Sequence, residues 1–164
     1  MNKVTSSLTA LAFALAAPAA FAQTCAAPGG PINAAGPLAA TCTAVDEFNS
    51  ICGGSVTAVG TSAVYQVNVG TPNNFTIAVT PTVATYDHAI FLIGPGSCLQ
   101  TTPCVADADD AGPGATETIS SGVNIPVGTY YLVIDSTASA AGCVPSNIVV
   151  TGTVPVSLQG FSVE

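Results

Sequence analysis

Tyr65-Gln66-Val67-Asn68-Val69-Gly70-Thr71-Pro72-Asn73-Asn74-Phe75-Thr76-Ile77-Ala78-Val79-Thr80 is the stretch that decides the architecture. Tyr65, Val67 and Val69 alternate with Gln66 and Asn68, and Phe75, Ile77 and Val79 alternate with Thr76, Ala78 and Thr80. Successive side chains of a strand point to opposite faces, so a period of two marks a half-buried strand. Gly70 to Asn74 has the composition of a turn, because Gly and Asn tolerate positive φ and Pro presets its own. The expectation is a hairpin.

Working outward, Ala89-Ile90-Phe91-Leu92-Ile93 is apolar at every position and stops at Gly94-Pro95-Gly96, which predicts a central strand covered on both faces. Tyr130 to Asp135 is a further strand, launched by Pro126-Val127-Gly128, and Ile148–Thr151 and Val154–Leu158 follow with β-branched enrichment. No stretch downstream of the first 22 residues holds a 3.6-residue apolar stripe free of Gly and Pro. Many short strands with turns between them predict an all-β fold, a single antiparallel β-sandwich of jelly-roll-like form.

Lys3, the apolar run Leu8 to Ala17, the breaker Pro18 and the small-residue site Ala20-Phe21-Ala22 have the layout of a cleavable secretory signal over residues 1–22. The apolar run is shorter than the roughly 20 residues of a membrane span. Removal of the signal leaves 142 of the 164 residues, enough for one domain. Residues 23–54, rich in Ala, Gly, Pro and Thr, read as an irregular lead-in held by cysteines, and 55–164 as the sandwich body. The expected location is secreted or extracellular, with the periplasm in transit.

The chain has 1 Lys or Arg, the Lys3 of the signal, against 9 Asp and Glu, and a formal net charge of −8. A surface without fixed cations cannot neutralise phosphates, which disfavours nucleic acid and anionic lipid as partners. Cys25, Cys42, Cys52, Cys98, Cys104 and Cys143 in an exported chain read as three disulfides, with fifteen connectivities open. Zinc is disfavoured, because no CxxC pair is present and His88 stands alone.

Several segments in order resemble the bacterial pre-peptidase C-terminal domain, a secreted β-sandwich usually appended to exported enzymes. They are Cys52-Gly53-Gly54, Ala63-Val64-Tyr65-Gln66-Val67, Tyr86-Asp87-His88-Ala89-Ile90-Phe91-Leu92, Ala106-Asp107-Ala108-Asp109-Asp110 and Val127 through Asp135. The chain departs from that family in lacking a catalytic domain and in carrying Cys42 and Cys143. The resemblance implies the pairs Cys25–Cys52 and Cys98–Cys104, leaving Cys42–Cys143. It also raises calcium as a ligand, since some relatives bind it.

The acidic loop Asp107-Ala108-Asp109-Asp110 is the leading candidate site, because calcium takes six to eight oxygens. The EF-hand pattern fails at Ala111 and Thr118, so a sandwich-type site would borrow Asp87, Glu117 or Asp135 from nearby strands. Asp87-His88 lacks a nucleophile elbow around any Ser, and reads as a structural pair at the head of a strand. Among the tyrosines, Tyr65 and Tyr130 share faces with Val and Leu and belong to the core, while Tyr86 and Tyr131 are candidates for stacking on a sugar ring. The expected function is a non-catalytic secreted module binding polysaccharide, protein or a cell surface. The alternative is a self-associating structural subunit of an extracellular filament or surface layer, favoured by uncharged strands with no Lys to block edge pairing.

Overall fold

The computed structural model describes residues 24–32, 36–41, 45–69, 75–120, 125–137 and 143–152. The signal segment, Cys42, the 70–74 turn and the strand expected over Val154–Leu158 lie outside them. The described residues form eleven strands: β1 (Gly29–Ile32), β2 (Gly36–Ala40), β3 (Ser50–Ile51), β4 (Val56–Thr57), β5 (Ala63–Val69), β6 (Phe75–Pro81), β7 (Ala89–Ile93), β8 (Cys104–Ala108), β9 (Glu117–Ser120), β10 (Gly128–Asp135) and β11 (Ser146–Gly152). No helix among the described residues is long and apolar enough to cross a membrane.

The strands form two facing sheets, in the orders β1-β5-β10-β7-β8 and β2-β11-β6-β9, and a short β3-β4 ladder. Every pairing is antiparallel except β1 with β5. The alternating strands β5 and β6 do exist, but they sit in opposite sheets, so the expected hairpin is a crossover instead. The two sheets turn apolar faces toward each other and bury them in the space between.

Between the sheets pack Tyr65, Val67 and Val69 of β5, Phe75, Ile77 and Val79 of β6, Ile90 and Leu92 of β7, Tyr130, Leu132 and Ile134 of β10, and Ile148 and Val150 of β11. A second apolar layer lies on the other side of the five-stranded sheet. There Phe48, Ile51 and Ala58 cover Val64, Ala89, Phe91, Ile93 and Val133. This is why β7 is buried at all five positions: one face meets the opposite sheet and the other meets the 45–62 segment.

The lead-in is therefore not irregular. It supplies an edge strand to each sheet, β1 and β2, and then the covering segment. Two disulfides hold that layer: Cys25–Cys98, with Cα atoms 5.5 Å apart, and Cys52–Cys104, at 4.5 Å. The expected pairs Cys25–Cys52 and Cys98–Cys104 are thus overturned. Local pairs would have closed each segment on itself, whereas the observed ones tie the covering layer to the β7–β8 connection. The Gly53 N–H adds a bond of 3.0 Å to the Thr102 carbonyl beside them. Cys143 is also disulfide-bonded, and its expected partner Cys42 lies outside the described residues.

Candidate functional site

Strand direction gathers the acids. β5, β7, β9 and β11 begin, and β6, β8 and β10 finish, at the same end of the sandwich. That end carries Asp46, Asp87, Asp107, Asp109, Asp110, Glu117 and Asp135. At the opposite end, the described connections 94–103 and 125–127 contain no Asp, Glu, His, Lys or Arg.

The acids at the crowded end do different things. Asp107, Asp109 and Asp110 are exposed, Asp87 is half-buried, and Glu117 and Asp135 are buried. Glu117, the first residue of β9, turns its carboxylate to the acidic loop: the amides of Asp110 and Ala111 donate to it at 3.3 and 2.7 Å. Thr137 Oγ1 donates to Asp109 at 2.6 Å, joining that loop to the end of β10. The Gly114 amide donates to the Tyr86 carbonyl at 2.8 Å, at positive φ, and a Cβ there would fall 2.4 Å from the Ala84 carbonyl oxygen. The loop is thus tied on three sides.

Asp135 follows Tyr131 and Val133 on the face of β10 covered by the 45–62 segment. It is fully buried, accepts from Ser62 Oγ at 2.6 Å and accepts from the Ser136 amide at 2.6 Å. Burial raises its pKa to about 6; the two hydrogen bonds oppose that rise and the Asp46 charge adds to it. His88 is buried and sits 3.1 Å from the Val79 carbonyl. Burial lowers its pKa, against the pull of that carbonyl and of Glu117, Asp87 and Asp109. The neutral imidazole therefore donates its Nε2–H to Val79.

The calcium set expected from the sequence, Asp107, Asp109, Asp110, Asp87 and Asp135, shares one end but not one ligand sphere. Among the described residues, no three His, Cys, Asp or Glu side chains come together to hold a metal ion. Asp135 spends both oxygens on Ser62 and Ser136 beneath the covering segment, away from the exposed loop acids. These residues do not fit a calcium centre.

Tyr86 is not an exposed platform. It is 5% exposed, stacked on His88 with ring centroids 6.4 Å apart, and its hydroxyl is buried without a hydrogen-bond partner among the described residues. Burial, then the charge of Asp135, pushes its pKa to about 12. Tyr131 is half-buried and packs against the covering layer, on the far side of the sheet from the inter-sheet core. The two tyrosines do not share a surface. Tyr65 and Tyr130 are core residues whose hydroxyls still find partners, the former near the Thr41 backbone and the latter on the Pro126 carbonyl.

Ser62, the partner of Asp135, carries no sequence signal: it is one Ser among many, and only the fold brings it 73 positions along the chain to the end of β10. Another surface missed by motif reading is the outer face of the four-stranded sheet. In register across it lie Thr151, Thr76 and Ser120; then Val149, Ala78 and Thr118; then Asn147 and Thr80, with Thr80 bonded to Thr116 at 2.7 Å. None of these residues is charged. The signal was present in the alternation of β6, β9 and β11, read there only as the solvated half of each strand.

No protein-family model and no curated protein matches the sequence. Among solved structures, the fold is similar to the pre-peptidase C-terminal domain of a collagenase from Bacillus anthracis, at 19% identity over 74% of this chain and 93% of that chain, with a TM-score of 0.48.

Proposed function

We propose that the chain is a non-catalytic extracellular module that binds a neutral polysaccharide through the outer face of its four-stranded sheet. The observation that carries this reading is the uncharged array on β11, β6 and β9, where hydroxyls of Thr76, Thr80, Thr118, Ser120 and Thr151 and the amide of Asn147 stand beside the methyls of Ala78 and Val149. Hydroxyls and amides both donate and accept, which suits sugar hydroxyls. A neutral polymer meets no repulsion there, whereas a polyanion would be opposed by the acid-rich end. The absence of catalysis is supported by the polar end, where His88, Asp135 and Glu117 are committed to internal hydrogen bonds with Val79, Ser62, Ser136 and the loop amides.

The test is co-sedimentation of the oxidised protein with insoluble neutral and anionic polysaccharides. Retention is expected on a neutral polymer, and Ala78→Glu with Thr118→Glu should reduce it at least about tenfold by placing charge at the centre of the array. Retention unchanged by that pair, or none on any neutral polymer, removes the proposal.

A second reading, self-association into a filament or layer, is favoured by the exposed apolar residues at strand edges. Val105 on β8 and Leu38 on β2 are 39% and 38% exposed, on edge strands that carry no Lys. Sedimentation velocity over a hundredfold range of concentration distinguishes the two: only long ordered assemblies support the second.

A further inference from the structure

We propose that Asp135 and the 45–62 segment form a proton-operated latch, closed over the five-stranded sheet while Asp135 holds a proton and opening more often once it ionises. The geometry is specific. The segment packs on the sheet through Phe48, Ile51 and Ala58 and is stapled by Cys52–Cys104, and near the end of β10 it makes hydrogen bonds as well. One of these falls on the carboxyl group itself, Ser62 Oγ to Asp135; beside it the Val59 amide donates to the Ser136 carbonyl at 2.8 Å, and within the segment the Ser62 amide donates to the Val45 carbonyl at 3.0 Å.

A buried carboxylate ordinarily requires a cation, and beyond Lys3 the chain has no Lys or Arg to supply one. The titratable groups that face Asp135 are Asp46 from the covering segment and Tyr86 from the β6–β7 connection. Neither compensates a negative charge: Asp46 repels it and the Tyr86 hydroxyl is neutral. His88 takes its charge contacts from Glu117, Asp87 and Asp109 instead. A protonated Asp135 needs no counter-ion, since its Oδ–H can donate to Ser62 Oγ over the same 2.6 Å. An ionised Asp135 is left facing Asp46, and water reaches it only if the hydrogen-bonded part of the segment lifts.

The direction follows from linkage. Open, the carboxyl titrates near its ordinary 3.8; closed, it keeps its proton to about 6. The closed form binds more protons between these values, so its advantage is complete below about 3.8 and is lost as the pH rises through about 6. From pH 4 to pH 7 the opening constant should grow roughly fiftyfold.

The test is hydrogen exchange of the oxidised protein, reading protection factors of the Val59 and Ser62 amides, with intrinsic pH effects removed. Wild type should lose protection roughly fiftyfold from pH 4 to pH 7. Asp135→Asn, which stays neutral and can both accept from Ser136 and donate to Ser62, should hold the pH 4 value throughout. A carbon-13 titration of the Asp135 carboxyl in wild type gives an independent readout that needs no variant. A midpoint below about 4.5, or parallel loss of protection in wild type and Asp135→Asn, overturns the latch.

Discussion

Glu117 shows how an acid in a chain without basic partners can serve as the acceptor for backbone amides. It stands buried at the head of β9 and receives the amides of Asp110 and Ala111. Glu117→Ala should cost about 2–4 kcal/mol in urea unfolding, because two loop amides lose a charged acceptor and a cavity opens; Glu117→Gln, which keeps one acceptor oxygen, should cost less than half as much. Equal losses in the two variants would reduce the role to packing. His88 and Asp135 pull stability in opposite senses with pH. The histidine, its pKa lowered, contributes above its ordinary 6.5 and loses that contribution as the pH falls below it; the aspartate contributes most in acid. Single residues were the least legible part of the sequence. Asp107, Asp109 and Asp110 stood out by spacing, yet spacing along a chain does not report which oxygens converge, and the partner of Asp135 proved to be an unremarked serine.

Strands were legible wherever one face was apolar. Period two identified β5 and β6, the unbroken apolar run identified β7, and the Gly-launched Tyr-Tyr strand identified β10. Pairing was not legible, because alternation states that a strand has an inside without stating which sheet it joins. The pair β5 and β6 illustrates this, since the same pattern serves a hairpin and a crossover. β1 and β2 escaped notice because Gly29-Gly30-Pro31-Ile32 and Gly36-Pro37-Leu38-Ala39-Ala40 have too few large apolar residues to show a period. The covering segment was hidden for the same reason: its anchors Phe48, Ile51 and Ala58 are few and its staples are cysteines. Removing one staple with Cys52→Ala and Cys104→Ala should cost about 4 kcal/mol, since the bond closes a loop of 52 residues. Exchange should rise first over residues 45–62, and a loss spread evenly over both sheets would show that the segment is not an independent layer.

Seven carboxylates at one end and no Lys or Arg beyond Lys3 make the folded molecule electrically lopsided. Among the described residues no Lys or Arg stands to pair with these acids, so the electrostatics there are repulsive. Raising the ionic strength from about 0.02 to 0.5 M at pH 7 should therefore increase the melting temperature by about 2–5 °C through screening. A melting temperature that falls with salt at pH 7 would contradict this picture. The disulfides have a consequence of another kind, for the way the molecule would answer a pull. Tension applied between Thr24 and Gly152 passes from Cys25 directly to Cys98, so the 73 positions spanned by that bond, with β1, β2, the covering segment and β5 to β7 among them, are bypassed by the load. About 250 Å of contour is withheld by this bond, so the chain would act as a short, stiff tether.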